Sequence, residues 1–124
     1  MLDHLSVAVS DIGRSKAFYT AALATLGYRP LKDFGDAVGF SDGKGTDPGG
    51  DFWIVEKKPS LPLPHFAFSA ATREEVDAFF AAAIAAGGGD NGPPGIRQAY
   101  HPHYYAAFVI DPDGYNIEAV CHAG

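Results

Sequence analysis

Two stretches of this chain, Asp3-His4-Leu5-Ser6-Val7-Ala8-Val9 and Pro64-His65-Phe66-Ala67-Phe68-Ser69-Ala70, follow one pattern: a histidine opening a strand-like run. The offset between the histidines (65 − 4 = 61) also carries Phe18 onto Phe79, Tyr19 onto Phe80, Ala22 onto Ala83 and Gly27 onto Gly88. A repeat of this kind restricts the fold strongly. Each copy must build the same supersecondary unit, and the two units must bury their apolar faces together.

Within each copy the hydrophobic period changes once. Leu2 to Val9 alternates His4, Ser6 and Ala8 with Leu5, Val7 and Val9, the period of a half-buried strand. Ser10 or Asp11 then caps a helix whose apolar positions are Phe18, Tyr19, Ala22, Leu23 and Leu26, with Gly27 as its stop. The second copy repeats this with a strand from Leu63 to Ala70 and the capping box Thr72-Arg73-Glu74-Glu75. Val76, Phe79, Phe80, Ala83 and Ile84 form the helical stripe. Three strands are expected after each helix. In the first copy they lie near Tyr28 to Lys32, Ala37 to Ser41 and Phe52 to Glu56, interrupted by the glycine-rich Asp42 to Asp51. In the second they lie near Ile96 to Tyr100, Tyr104 to Ile110 and Tyr115 to Cys121, with Asp111-Pro112-Asp113-Gly114 as a turn. Each copy therefore reads βαβββ.

The 124 residues, 47% hydrophobic, suffice for one compact domain across residues 1–124, with module 1 at 1–58 and module 2 at 62–122. The formal charge of −6 with no Lys/Arg run excludes an electrostatic nucleic-acid footprint, and a small-molecule partner is expected. No apolar run approaches the roughly 20 residues that span a bilayer. Cys121 is the single cysteine and the residues before His4 are too few for a signal peptide, so a cytoplasmic protein is expected.

Strand parity directs the chemistry. The bulky Leu5, Val7, Val9, Phe66 and Phe68 should pack under the helices, leaving His4 and His65 on the opposite faces among Ser6, Ala8, Ala67 and Ser69. On the last strand Asn116, Glu118 and Val120 share a face. Cys121 falls with Ile117 and Ala119 on the helix side, as a small buried hydrophobe. Two imidazoles and a carboxylate are a donor set that leaves metal positions open to substrate, suited to Fe, Mn, Ni or Zn.

These motifs, with Phe18-Tyr19 behind the first strand and Asp111-Pro112-Asp113-Gly114-Tyr115-Asn116-Ile117-Glu118 at the end, resemble the vicinal oxygen chelate superfamily of glyoxalases, bleomycin-resistance proteins and extradiol dioxygenases. The resemblance covers nearly the whole chain. It implies an α+β fold in which two βαβββ modules form an open cup-shaped sheet with helices outside, a homodimer, and a divalent metal held by His4, His65 and Glu118. Many members add a polar ligand on the last strand of the first module. Here the text is Phe52-Trp53-Ile54-Val55-Glu56, so Trp53 or Ile54 takes that register unless Glu56 shifts into it.

Other residues fit roles around such a centre. His101, Tyr104 and Glu118 are candidate catalytic groups, because imidazole titrates near neutrality and a phenol stabilises an oxyanion. Trp53, Phe40 and Tyr104 are candidate substrate contacts, with Phe34 nearby. The ordinary alternatives are a turn stiffened by Pro102 and core aromatics. The function expected is that of a metal-dependent enzyme on a small oxygenated molecule, a lyase or isomerase before a ring-cleaving dioxygenase. The alternative is a drug-binding protein like the bleomycin-resistance members.

Overall fold

The computed structural model describes residues 2–44 and 49–123; part of the glycine-rich stretch after Asp42 lies outside them. Module 1 runs β1 (Leu5–Val9), α1 (Ile12–Ala24), β2 (Arg29–Asp33), β3 (Ala37–Ser41) and β4 (Phe52–Glu56). Module 2 runs β5 (Phe66–Ser69), α2 (Arg73–Ala85), two short strands β6 (Gly89–Asp90) and β7 (Gly95–Ile96), then β8 (Tyr105–Ile110) and β9 (Asn116–Cys121). The sheets are ordered β1-β4-β3-β2 and β5-β9-β8-β6, with β7 also on β8. In each, the strand before the helix pairs in parallel with the module's last strand. This is the expected α+β architecture of paired modules.

The helices start where local chemistry requires. Asp11 and Thr72 occupy the same point of the repeat, and each side chain accepts from the backbone N–H three residues on, Arg14 and Glu75. Glu75 reaches back to Ala71 N at 2.7 Å, completing the capping box. Gly27 follows α1 at φ +84°, a conformation that disfavours any side chain. The helices pack on each other, α1 also on β4 and α2 on β8 and β9. Between helices and sheets lie Val9, Phe18, Tyr19, Leu23, Ile54, Val76, Phe79, Val109 and Ile117, all buried. Ile84, expected in the α2 stripe, lies at its edge and is 36% exposed.

The expected strand at Ile96 to Tyr100 is replaced by the two-residue β6 and β7. Between them Gly92 sits at φ +146° and Pro93-Pro94 has no N–H to donate to a ladder. Residues Arg97 to Tyr104 instead turn, with Tyr100 N donating to Arg97 O at 3.0 Å and Tyr104 N to His101 O at 3.1 Å.

The Asp111-Gly114 turn ties module 2 to module 1. Tyr19 of α1 donates its buried hydroxyl to Asp111 Oδ2, while Asp111 Oδ1 accepts from Asp113 N and Tyr115 N at 2.9 Å each. Asp113 accepts from Ser10 N at 3.1 Å and Ser10 Oγ at 2.5 Å, and Tyr115 donates to Ala8 O at 2.6 Å. Burial pushes the Asp111 carboxyl up, against the pull of these donors. Removing one donor from a buried acid is costly. Tyr19→Phe should therefore lower the unfolding free energy by about 1–3 kcal/mol, read by urea denaturation.

Candidate functional site

The strand register puts His65 and Glu118 on one helix-free face. Ala67 pairs with Glu118 across β5 and β9, and Phe108 pairs with Glu118 across β9 and β8. Paired residues share a face, so His65 and Ala67 join Asn116 and Glu118 on β9 and Ala106 and Phe108 on β8, with Tyr104 extending the last row. This register turns Tyr104 toward Glu118.

His65 is held at both ring nitrogens. Nδ1 lies 2.7 Å from Asn116 O and Nε2 lies 3.0 Å from Glu118 Oε1. A backbone carbonyl only accepts, so Nδ1 carries a proton and Nε2 is the position turned to the carboxylate. The arrangement is complete when a proton or a metal ion sits between Nε2 and Oε1. Two ligand atoms about 2.0–2.2 Å from a divalent ion and at right angles are about 3 Å apart. The pair thus already has the bite of neighbouring ligands, and the Nδ1–H to carbonyl bond is the outer contact that fixes a ligating imidazole. Glu118 is nearly fully buried, and its Oε2 accepts from Tyr104 OH. Asn116 Oδ1, beside them, is buried without a hydrogen-bond partner among the described residues.

His4 stands elsewhere. Its Nδ1 is 2.8 Å from Asp3 Oδ1, its side chain is 53% exposed, and it lines a cavity of about 180 Å³ with Leu5, Phe52, Phe66 and Phe68. Among the described residues no three His, Cys, Asp or Glu side chains converge. His65 and Glu118 come together, and His4 does not join them within the chain.

The structure identifies what occupies the first module's ligand register. Ser6 pairs with Trp53 across β1 and β4, as Ala67 pairs with Glu118 in the second copy, and Ser6 and Ala67 are equivalent in the repeat (67 − 6 = 61). Trp53 therefore stands where Glu118 stands. Glu56 is three pairs further along, opposite Val9, and its Oε1 accepts from Ile12 N at 3.0 Å at the start of α1. Trp53 donates Nε1–H to Gly50 O at 3.1 Å and lies over Gly39, where a Cβ would come within 2.7 Å of the indole. Phe34, 68% exposed, stacks on it at 5.9 Å and 7°. Phe40 does not line this face. It is fully buried on the helix side, packed on Phe52 at 6.1 Å, because its strand neighbour Gly39 takes the other parity.

His101 is committed at both nitrogens. Its Nδ1 accepts from His103 N at 3.0 Å, and its Nε2 lies 2.8 Å from His122 Nδ1. Since a backbone N–H only donates, the His101 proton is on Nε2 and goes to His122. His101 thus holds His122 and has no ring position left for a substrate in this arrangement. Tyr104 sits among them, 5.4 Å from His101, 5.3 Å from His122 and 4.7 Å from Tyr100. His122 and Arg97 escaped the sequence reading. His122 continues the alternation of Glu118 and Val120, which was a usable signal; Arg97, in a turn, gave none. Cys121 is buried as expected, 3.6 Å from Ala71 O.

Burial, then the hydrogen bond and charge of Glu118, push the Tyr104 phenol up to about 12. A raised folded-state value means that the associated stability is present below the ordinary tyrosine value of 10.0 and is lost as pH rises toward about 12. Tyr19, Tyr28, Tyr105 and Tyr115 are raised as well, so absorbance titration should show a group of late tyrosines, one of which moves earlier, without fully normalising, in Glu118→Gln.

A sequence profile of the Glyoxalase/Bleomycin resistance protein/Dioxygenase superfamily matches residues 1–119, and the chain belongs to that family. Its structure is similar to a glyoxalase/bleomycin resistance protein from Albidiferax ferrireducens T118, with 35% identity, 98% of each chain covered and a TM-score of 0.80. It also resembles in fold a glyoxalase/bleomycin resistance protein/dioxygenase family enzyme from Burkholderia phytofirmans PsJN, with 18% identity, 98% of each chain covered and a TM-score of 0.73. A glyoxalase-related enzyme from Fulvimarina pelagi shares the fold at 17% identity, covering 98% of this chain and 87% of its own, with a TM-score of 0.71. No curated protein matches the sequence at a significant level. No described helix is long and apolar enough to cross a membrane.

Proposed function

We propose that this chain is a metal-dependent enzyme acting on a small oxygenated molecule, with lyase or isomerase chemistry ahead of ring-cleaving dioxygenation. The observation that carries the reading is the His65–Glu118 pair: Nδ1 tied to a carbonyl, Nε2 and Oε1 3.0 Å apart, and the carboxylate buried. His65 and Glu118 would hold a divalent ion (Fe, Mn, Ni or Zn). His4 would complete the set from a second chain in a homodimer, since within one chain it pairs with Asp3 instead.

A divalent ion held there supplies Lewis acidity to vicinal oxygens of a substrate. The chain's own groups do the rest. Glu118 Oε2 holds the Tyr104 hydroxyl at the edge of the site. With its pKa pushed up to about 12, Tyr104 stays protonated at neutral pH, and its single O–H, turned from Glu118 Oε2 to the substrate, would donate to a developing oxyanion rather than act as a base. Trp53, turned to the helix-free face of module 1 and stacked by Phe34, supplies an apolar surface for the body of the substrate.

Metal content measures the assignment directly. After loading and dialysis, His65→Ala and Glu118→Gln should each weaken metal retention at least about tenfold, as even outer partners of ligands are worth ~10–100-fold. Full occupancy in His65→Ala would sink the ligand set. Turnover of methylglyoxal with glutathione selects the lyase branch, and oxygen uptake with a catechol selects the dioxygenase.

One observation favours a second reading, a binding protein without chemistry: the first module's ligand register carries Trp53 on an exposed aromatic stack. Trp53 fluorescence separates the two. Quenching by a flat cationic drug that survives a chelator supports sequestration, whereas a ligand response that needs the metal supports the enzyme.

A further inference from the structure

The helix-free face of module 2 carries a cation that no role above uses. Arg97 leaves β7 and folds back so that its guanidinium lies over the Phe108 ring, 5.3 Å from the centroid. The same ring stacks with His65 at 6.1 Å and 29°, so Arg97 and His65 both contact Phe108, the strand partner of Glu118.

The guanidinium is built into place. Nη1 donates to Gly95 O at 2.9 Å and Nη2 to Pro93 O at 2.8 Å. The loop closes around it so tightly that a Cβ at Gly92 would come within 3.1 Å of Nη2, and one at Gly95 within 3.2 Å of Nη1. Of five N–H donors, those two bonds use two. No carboxylate pairs with Arg97 among the described residues, whereas Arg14 and Lys16 each reach an aspartate within 4 Å. Glu118, the acid on this face, is turned to His65 and Tyr104. A half-buried, oriented guanidinium with spare donors and no internal counter-charge is arranged for an anion from outside, because charge-assisted bonds to a carboxylate are about twice as strong as neutral ones.

We propose that Arg97 anchors a carboxylate of the ligand, so that the molecule taken by this face is a small organic acid. This rests on the face being the ligand site, but not on metal binding. His122 adds a second donor at the rim. Its Nδ1 accepts from His101, so in the neutral ring the proton lies on Nε2, the nitrogen that His101 does not engage.

The test uses full-length protein stripped of metal with a chelator, with benzoate and its neutral analogue benzamide as probes in calorimetric titrations. Benzoate should bind the wild type at least tenfold more tightly than benzamide does. Arg97→Gln should lose that preference, and Arg97→Lys, which keeps charge without the planar fork, should retain only part of it. Equal binding of the two probes, no benzoate binding, or an Arg97→Gln variant that binds like wild type would overturn the proposal. If Arg97→Gln does not fold, the Arg97 Nε–H resonance of the wild type decides: a saturable shift with benzoate supports the anchor, and an unmoved resonance removes it. Benzoate selectivity that persists in a His65→Ala variant unable to hold metal keeps this result separate from the fate of the metal assignment.

Discussion

The relative placement of the two modules depends on one buried acid. The sheets do not hydrogen-bond to each other among the described strands, so nothing in the backbone ladders fixes one copy against the other. The Asp111-Gly114 turn does that: Asp111 receives Tyr19 from α1, Asp113 receives the Ser10 backbone and hydroxyl, and Tyr115 reaches Ala8. Apolar packing of Phe52 on Phe66 and Phe68 lies beside these bonds. Hydrophobic contact is non-directional and tolerates sliding; a buried carboxylate with three oriented donors does not. Polar groups in the interior are here a device for geometry, and the turn that follows β8 sets where β9, and with it Glu118, stands.

Duplication gave both modules the same register and then different contents. At equivalent positions stand Trp53 and Glu118, and the strand partner of each has changed in the opposite sense. Trp53 faces Gly39, and Glu118 faces Phe108. The large ring needs the missing Cβ beneath it, whereas the acid is roofed by an aromatic that excludes water and stacks on His65. A single exchange at Trp53 would therefore not restore a ligand-bearing strand, because Gly39 would leave a carboxylate there uncovered. The asymmetry is a property of pairs of residues rather than of one substitution.

Much of this was legible because period-two alternation and the 61-residue repeat act together (65 − 4 = 61). They place His65, Ala67, Asn116 and Glu118 on the side away from the helices without any knowledge of pairing. They could not decide Phe40, since β3 is buried from Val38 to Ser41 and its alternation is masked; only pairing with Phe52 reveals which face it takes. Nor could they foresee the loss of a full strand between Gly89 and Tyr104, where local turn chemistry overrode the repeat. That same departure created Arg97's position, and a side chain folded back from a turn has no sequence period to announce it. His4 does not meet His65 and Glu118 within the chain among the described residues, because a shared face within a module says nothing about distance between modules.

Charge makes the contrast between the two helix-free faces chemical. The chain carries a formal charge of −6, which by itself repels anionic molecules at long range. Yet on module 2 the acidic group is buried and engaged by His65 and Tyr104, while the guanidinium of Arg97 stays partly open and without an acid partner. Close to this face, local donors outweigh the screened field of distant carboxylates, since charges more than about 8–10 Å apart are largely screened at physiological salt. Module 1 offers Trp53 and Phe34 instead, with no charge between them. On the proposed reading, a ligand spanning both kinds of surface would be sorted by its ends, an acidic oxygen-bearing end toward module 2 and a flat apolar end toward module 1. That polarity follows from the divergence of two once-equal strands.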